Sequence, residues 1–159
     1  RSLLVIVSST RMAAELNTPG LTVLLLGGQY RPERMDSVGP MAMAALDQLR
    51  GYQAFIGVDG LSMDFGLTSV DIDSADLYRK AIANSREAVL LADHTKFDHP
   101  SLFKIVDVEA ISRIVTDRRP SPEWMEFFSL RGIEAIFPQP GPPEAPTDGG
   151  EVHTEAHRS

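Results

Sequence analysis

The stretch Leu90-Leu91-Ala92-Asp93-His94-Thr95-Lys96-Phe97 decides the fold of this chain. An apolar run ends there in a polar cluster of one acid, one base and one hydroxyl. Such a run is typical of a strand that is buried in a parallel sheet. In open α/β sheets, ligands bind in the crevice just beyond the carboxyl ends of the strands. Lys96 is therefore a candidate anion receptor, with Asp93 as its partner.

The sequence on either side alternates between short apolar runs of strand length and segments with helical spacing. Strands are predicted at residues 3–7, 22–26, 54–58, 88–92, 114–117 and 133–137. Helices are predicted at residues 11–17, 37–49, 75–85 and 121–132. A polar loop follows Gly27-Gly28, and a long irregular loop is predicted at residues 62–71. This order is typical of an α/β fold with a mostly parallel sheet.

Several predicted strands end in small or polar residues. These ends are Ser8-Ser9-Thr10, Gly27-Gly28, Asp59-Gly60, the segment from Asp93 to Lys96, and Thr116-Asp117. If the strands are parallel, right-handed crossovers bring the ends to one edge of the sheet. That edge would offer backbone N–H groups, hydroxyls and one ammonium group to a small polyanion, and a phosphorylated metabolite fits this chemistry best.

Each feature also has a purely structural interpretation. Gly27-Gly28 and Asp59-Gly60 could simply be turns. Asp93 and Thr95 could cap the chain after a strand, and Lys96 could be a solvated lysine. The sequence contains no Walker loop, nucleophile elbow or dinucleotide fingerprint, so we expect no cofactor and no metal.

Composition indicates one folded domain, because 159 residues with a hydrophobic fraction of 43% are enough to bury a core. No run of eighteen or more apolar residues and no secretion signal is present, so a membrane partner is not expected. The lack of cysteine excludes disulfides and thiolate metal sites and favours a reducing compartment, here the cytoplasm. A net charge of −7 argues against nucleic-acid binding by this chain itself.

The end of the chain differs in composition from the rest. Residues 139–159 are rich in proline and glycine and then polar, and they carry a net negative charge. Such a segment has too little apolar surface to offset the entropy of ordering. We therefore predict a folded domain at residues 1–138 and a disordered acidic tail at residues 139–159.

Taken in order, these pieces resemble the effector-sensing domain of the DeoR/GlpR family of bacterial sugar-metabolism repressors, over residues 3–137. The shared landmarks are Ser8-Ser9-Thr10, Leu26-Gly27-Gly28, Ser37-Val38-Gly39, Phe55-Ile56-Gly57-Val58-Asp59-Gly60, Gly66-Leu67-Thr68, Leu91-Ala92-Asp93-His94-Thr95-Lys96-Phe97 and Val115-Thr116-Asp117. The family's aspartate-x-serine-lysine-phenylalanine block has threonine in place of serine here, at Thr95.

The resemblance implies a three-layer α/β fold with a mostly parallel sheet, similar to ribose-5-phosphate isomerase and CoA-transferase-like proteins. It implies a homo-oligomer that senses a sugar phosphate and contacts DNA only through a separate winged helix-turn-helix domain. The family's first strand and its aspartate-x-glycine-threonine-threonine loop have no counterpart in the sequence. We therefore expect an N-terminally truncated domain in which the family's second strand, at residues 3–7, lies at a sheet edge.

The resemblance and the strand ends together give a predicted binding site. Its residues are Ser8, Ser9, Thr10, Gly27, Gly28, Asp59, Gly60, Thr68, Asp93 and Lys96. The turn at residues 8–10 and the glycine pair are expected to hold the phosphate, while Lys96 and Asp93 contact the phosphate or the sugar hydroxyls. A conformational response to ligand is expected in the loop at residues 62–71.

Two other functions stay open. A sugar-phosphate isomerase needs a carboxylate base and a cation, which Asp59, Asp93 and Lys96 could supply. A pure oligomerisation domain would bind no small ligand. The sensor interpretation predicts no catalytic residue.

Overall fold

The structure, a computed structural model, describes residues 2–16 and 18–139. Within them the strands are β1 (Leu3–Val7), β2 (Leu21–Leu25), β3 (Gln29–Arg31), β4 (Asp36–Val38), β5 (Gln53–Gly57), β6 (Gly60–Ser62), β7 (Gly66–Ser69), β8 (Glu87–Leu91), β9 (Phe103–Val106), β10 (Arg113–Val115) and β11 (Glu134–Ile136). The helices are α1 (Thr10–Glu15), α2 (Pro40–Asp47), α3 (Ile72–Asn84) and α4 (Pro122–Leu130). The predicted tail, apart from Gln139, lies outside the described residues.

The central sheet is parallel throughout and has the strand order β11-β10-β8-β5. Ile56, Leu90 and Ile114 lie side by side across three of its strands and are almost fully buried. They share one core cluster with Ile82 of α3 and Trp124 of α4. Burial of these side chains between sheet and helices is the main force that holds the domain together. The predicted fold class, a three-layer α/β fold with a mostly parallel sheet, is confirmed.

Strands β1 and β2 form a second parallel pair. Ile6 of β1 packs against a cluster that contains Leu26, Ala42 and Leu46, so helix α2 covers one face of this pair. The helix α1 connects the two strands and contacts both. Within the described residues β1 pairs only with β2, and β5 pairs only with β8. Among the described residues, β1 therefore lies at the edge of its sheet.

Part of one face of the central sheet is apolar and exposed among the described residues. Side chains alternate along a strand, so the residues between the buried ones point to the opposite face. Leu91, Val115 and Ile136 are aligned on that face, next to Phe55, and these four side chains are between 37% and 61% exposed.

No described helix is long and apolar enough to span a membrane.

Two predicted loops are in fact paired strands. The polar segment after Gly28 forms the antiparallel hairpin β3–β4, so Ser37 is a strand residue and helix α2 begins only at Pro40. The predicted loop at residues 62–71 contains strand β7, which pairs with both β6 and β9. The partner β9 is remote in sequence, and Gly66 permits its close approach, because a Cβ there would lie 2.2 Å from the Val106 carbonyl oxygen.

Candidate functional site

A short 3-10 turn follows strand β8 and carries Lys96, and we call residues 93–97 the Lys96 turn. Asp93 caps this turn, because its Oδ1 accepts hydrogen bonds from the Thr95 amide, at 2.8 Å, and from the Thr95 hydroxyl. These bonds, the hydroxyl bond first, lower the pKa of Asp93. The capping role that the structural interpretation predicted is therefore present.

Asp117, at the end of β10, holds the same turn from the neighbouring strand. Its Oδ1 accepts the His94 amide at 2.7 Å, and its Oδ2 lies 2.6 Å from Nδ1 of the His94 ring. A carboxylate can only accept, so Nδ1 carries the proton, and Nε2 accepts from Nη2 of Arg118 at 2.8 Å. Although desolvation raises the pKa of Asp117, the hydrogen bonds from His94 outweigh it and bring the pKa to about 2.

The far side of the Lys96 turn is anchored in the core. The Phe97 ring meets the buried Trp124 ring edge to face at 5.2 Å, and a backbone bridge joins Phe97 to Leu61 of β6. Both carboxylate oxygens of Asp98 lie 3.1 Å from the indole Nε1 of Trp124. The turn is thus fixed on both sides of Lys96.

The ammonium group of Lys96 stands apart from those of the other lysines. Lys80 pairs with Asp47 at 2.8 Å and Lys104 pairs with Asp107 at 2.6 Å. Across residues 2–16 and 18–139, Nζ of Lys96 forms neither an ion pair nor a hydrogen bond, although the side chain is partly buried. The predicted partner Asp93 makes no direct ion pair with it. A partly buried cation without a described partner, on a turn that is held on both sides, is suited to bind an anion.

The turn after β1 is built into the hairpin β3–β4. The Thr10 amide and hydroxyl both donate to the Met35 carbonyl oxygen, at 2.8 and 2.9 Å, and the Ser37 amide donates to the Ser8 carbonyl oxygen at 2.9 Å. The Ser9 hydroxyl caps α1 by accepting from the Met12 amide. The hydroxyls of Ser9 and Thr10 thus have structural partners, whereas that of Ser8 has none among the described residues.

The two glycines after β2 have different surroundings. A Cβ at Gly28 would lie 2.5 Å from the Val38 carbonyl oxygen and 3.2 Å from Cβ of Ala42, so the absence of a side chain permits the hairpin and α2 to approach. A Cβ at Gly27 would meet nothing within 4 Å. Gly28 therefore has a packing role, and Gly27 is open to solvent or ligand.

Asp59, Gly60 and Thr68 lie together where β5 ends and β6 begins. Oδ2 of Asp59 accepts from the Ser69 hydroxyl at 3.0 Å and from the Val70 amide at 2.9 Å. The Thr68 hydroxyl is fully buried; it donates to the Gly60 carbonyl oxygen and accepts from the Ser101 amide, both at 2.8 Å. Thr68 therefore stabilises this region and presents no free hydroxyl at the surface.

The predicted site residues form two groups. The bridge between Leu61 and Phe97 places the Asp59–Gly60 end of β5 beside the Lys96 turn. The residues after β1 and β2 form the other group, and it connects to the first through a network around Arg31, which bonds to Asp36 and Asp71. These three residues were not among the predicted site residues, because the hairpin that brings them together was interpreted as a loop.

Comparison with protein families matches most of the chain to one family. The family model described as the DeoR C-terminal sensor domain matches residues 1–118, which include both groups of site residues. The chain belongs to this family. The resemblance inferred from the motifs is thereby confirmed.

Known relatives of this sensor domain are transcriptional regulators. This chain is 28% identical over 133 residues to the HTH-type transcriptional repressor GlcR of Bacillus subtilis, and the match covers 83% of this chain and 51% of that protein. The HTH-type transcriptional repressor CsqR of Escherichia coli is 28% identical over 136 residues, covering 85% and 52%. The lactose phosphotransferase system repressor of Lactococcus lactis is 32% identical over 109 residues, covering 69% and 42%. The chain thus spans about half the length of the curated relatives it matches.

Proposed function

We propose that this sensor domain binds a phosphorylated sugar at the carboxyl edge of its sheet and that Lys96 binds the phosphate. The observation that carries the proposal is the ammonium group of Lys96, which has no described partner. The residues on both sides of Lys96 are fixed by Asp117 and Trp124. Because the turn is already held in place, binding has to order the Lys96 side chain but not its backbone, so more of the interaction energy contributes to affinity.

Neighbouring groups support recognition of the sugar itself. Asp93 uses Oδ1 for its cap, and its lowered pKa keeps the carboxylate ionised at neutral pH, so Oδ2 is available to accept from a sugar hydroxyl. The Ser8 hydroxyl and the open backbone at Gly27 are the corresponding groups at the end of the first strand pair. Asp59, Gly60 and Thr68 stabilise the strand end beside the Lys96 turn, and the proposal does not require them to contact the ligand.

The same contacts argue against isomerase activity. A general base works best when its pKa lies near the working pH. The pKa of Asp93 is lowered by its bonds to Thr95, which weakens it as a base, and Asp59 already accepts two hydrogen bonds at Oδ2. We therefore propose a binding protein and not an enzyme.

The proposal extends to a longer regulator that would contain this sensor domain. In a homo-oligomeric cytoplasmic regulator with a separate DNA-binding domain, the sugar phosphate would lower affinity for the operator. It can do so only if it binds the DNA-free state more tightly than the DNA-bound state. Sedimentation analysis of this chain tests the homo-oligomer, and a monomer at all concentrations would contradict it.

A thermal-shift screen tests the binding site. Sugar phosphates and the matching free sugars are compared on the wild-type chain and on Lys96→Met, since a ligand that binds only the folded state raises the melting temperature. Lys104→Met is the matched control, because it also removes one lysine charge, but from an ammonium group that is already paired with Asp107. We expect phosphates alone to stabilise the wild type and the control.

In Lys96→Met we expect the dissociation constant to rise by roughly tenfold to a hundredfold, which corresponds to a hydrogen bond to a charged group. Equal stabilisation of Lys96→Met and the wild type would overturn the assignment of Lys96. Conversion of an aldose phosphate to a ketose phosphate by the wild type would establish the isomerase instead. A folded wild type that no phosphate stabilises would leave the oligomerisation domain as the function.

A further inference from the structure

Arg31 is the most extensively bonded side chain near the candidate site. It ends strand β3, and its side chain is only 11% exposed. Its Nε and Nη2 donate to the two carboxylate oxygens of Asp36, both at 2.8 Å, in a two-point contact across the hairpin. Hydrogen bonding to Asp36 is the largest cause of the raised pKa of Arg31. The guanidinium is therefore a permanent, fixed cation inside the fold.

The same guanidinium also reaches helix α3. Nη1 donates to Oδ2 of Asp71 at 2.5 Å, and Nη2 donates to the Ser74 hydroxyl at 2.9 Å. Asp71 is the N-cap of α3, where it accepts from the Ser74 amide at 2.9 Å. One arginine thus joins the hairpin β3–β4 to the first turn of α3.

The hairpin in turn holds the end of β1. Asp36 forms a backbone bridge with Ser9, and the carbonyl of the preceding residue, Met35, accepts both bonds from Thr10. Met35 has a positive φ of 52°, which is unfavourable for a residue with a side chain, so its surroundings must hold it. A rigid hairpin is therefore needed to keep the turn at Ser8–Thr10 in place.

On the other side the contacts continue to the end of β5. The Asp71 amide donates to the Ser69 hydroxyl at 3.2 Å, and that hydroxyl donates to Asp59 at 3.0 Å. The path thus runs from Thr10 to Met35, along the chain to Asp36, and then through Arg31, Asp71 and Ser69 to Asp59. Each step is a hydrogen bond except the peptide link between Met35 and Asp36. Arg31 is its central member, since its guanidinium makes close hydrogen bonds to both the hairpin and the first turn of the helix, whereas Arg34 of the hairpin lies 3.9 Å from Asp71.

We propose that Arg31 is a positioning residue that couples the two groups of the candidate site, so that the turn after β1 and the end of β5 respond to an effector together. Without the guanidinium, Asp36 would be left partly buried without its cation, and Asp71 would keep only the 3.9 Å contact with Arg34. Their repulsion would loosen the polar contact between the hairpin and the first turn of α3. Lysine cannot replace arginine here, because one ammonium group cannot make the two-point contact with Asp36 and also reach Asp71. The part of the proposal that concerns an effector rests on the proposed function.

Hydrogen exchange tests the coupling without any ligand. The variants are Arg31→Met and Arg31→Lys, and Arg113→Met is the matched control. Arg113 also bridges two carboxylates, Glu87 at 3.1 Å and Glu134 at 2.7 Å, but lies at the amino end of β10, away from the site. The reporters are the Thr10 amide, which bonds to Met35, and the Ser74 amide, which bonds to Asp71. The Leu90 amide in the central sheet reports global opening.

In Arg31→Met we expect Thr10 and Ser74 to exchange at least about tenfold faster, with a smaller change at Leu90, and Arg31→Lys to be intermediate. The control should leave both reporters nearly unchanged. Unaltered exchange at Thr10 and Ser74 in both Arg31 variants would overturn the proposal, as would an equal acceleration at all three amides.

Binding of inorganic phosphate then separates the two proposals. If the wild type binds phosphate and Lys96→Met does not, both Arg31 variants should bind it more weakly than Arg113→Met does. Full-strength binding by the Arg31 variants would overturn the effector part of the coupling. If neither the wild type nor any variant binds phosphate, the proposed function fails. The exchange data still decide whether Arg31 couples the hairpin to α3.

Discussion

The carboxylate of Asp117 holds His94 at two points, the backbone amide at 2.7 Å and the ring Nδ1 at 2.6 Å. The two residues belong to different parts of the chain, since Asp117 follows β10 and His94 follows β8. This contact joins the ends of two neighbouring parallel strands. It fixes the turn on which Lys96 lies, so it determines where the cation is presented.

We therefore predict that Asp117→Ala releases the Lys96 turn. The His94 amide loses its acceptor, and its hydrogen exchange should accelerate by about tenfold or more. Asp117→Asn retains an acceptor oxygen for that amide and should show a smaller effect. Asp107→Ala removes an exposed carboxylate that pairs with Lys104, and it serves as the control. Protection of the His94 amide in Asp117→Ala equal to that in the wild type would show that the turn does not depend on this contact.

Acid should weaken the link between Arg31 and Asp71. Desolvation raises the pKa of Asp71, but hydrogen bonds from Arg31 and Ser74 outweigh it and lower the pKa from 3.8 to about 2. A carboxylate with a lowered pKa stabilises the folded state above its unfolded pKa, and this contribution is lost as the pH falls from about 4 to about 2. The stability of the wild type should therefore decline in that window.

Asp71→Asn tests this pH dependence, since asparagine is also a good N-cap but carries no charge. Urea unfolding should show the variant to be less stable than the wild type by about 1 kcal/mol at neutral pH, a value reduced by solvent screening of the partly exposed pair. The difference should disappear near pH 2. Asp76→Asn breaks the more exposed pair with Arg79 and should have little effect at any pH. A difference that stays constant from pH 7 to pH 2 would contradict the assignment.

Adjacent glycines should respond in opposite ways to the same substitution. Gly28→Ala places a methyl group against the Val38 carbonyl oxygen and should destabilise the fold by roughly 1–3 kcal/mol, as overpacking does. Gly27→Ala meets nothing within 4 Å and should change stability by less than about 0.5 kcal/mol. The urea concentrations at the unfolding midpoints of the two variants measure this difference in stability. Equal midpoints would show that the hairpin can move away from Gly28.

The parallel strands were the most predictable part of the fold. Residues 88–92 were predicted as a strand and β8 spans Glu87–Leu91, because an apolar run of that length is buried in any compact arrangement. Helix α4 was equally clear, since Ser121 caps it through the Trp124 amide and Pro122 occupies its first position. Signals of this kind are local, and the tertiary structure did not override them.

The antiparallel strands were less predictable, because their partners are not set by local sequence. Strand β7 looked like part of a loop, yet it is fully buried between β6 and β9. Its polar residues Thr68 and Ser69 are satisfied by groups from other segments, such as the Ser101 amide and the Asp59 carboxylate. A pattern of hydrophobicity cannot reveal such partners.

The sequence by itself determined the fold class, the family and the strand ends at which Lys96 and Asp93 lie, because apolar periodicity and short motifs act over a few neighbouring residues. Only the tertiary structure decided which polar groups are already bonded and which are free. It bonds Thr10 to Met35, Asp59 to Ser69 and Arg31 to Asp71, and among the described residues it gives Lys96 no partner. Hydrogen bonds and ion pairs require contact within a few ångströms, and residues far apart in the sequence reach that distance only when the chain folds.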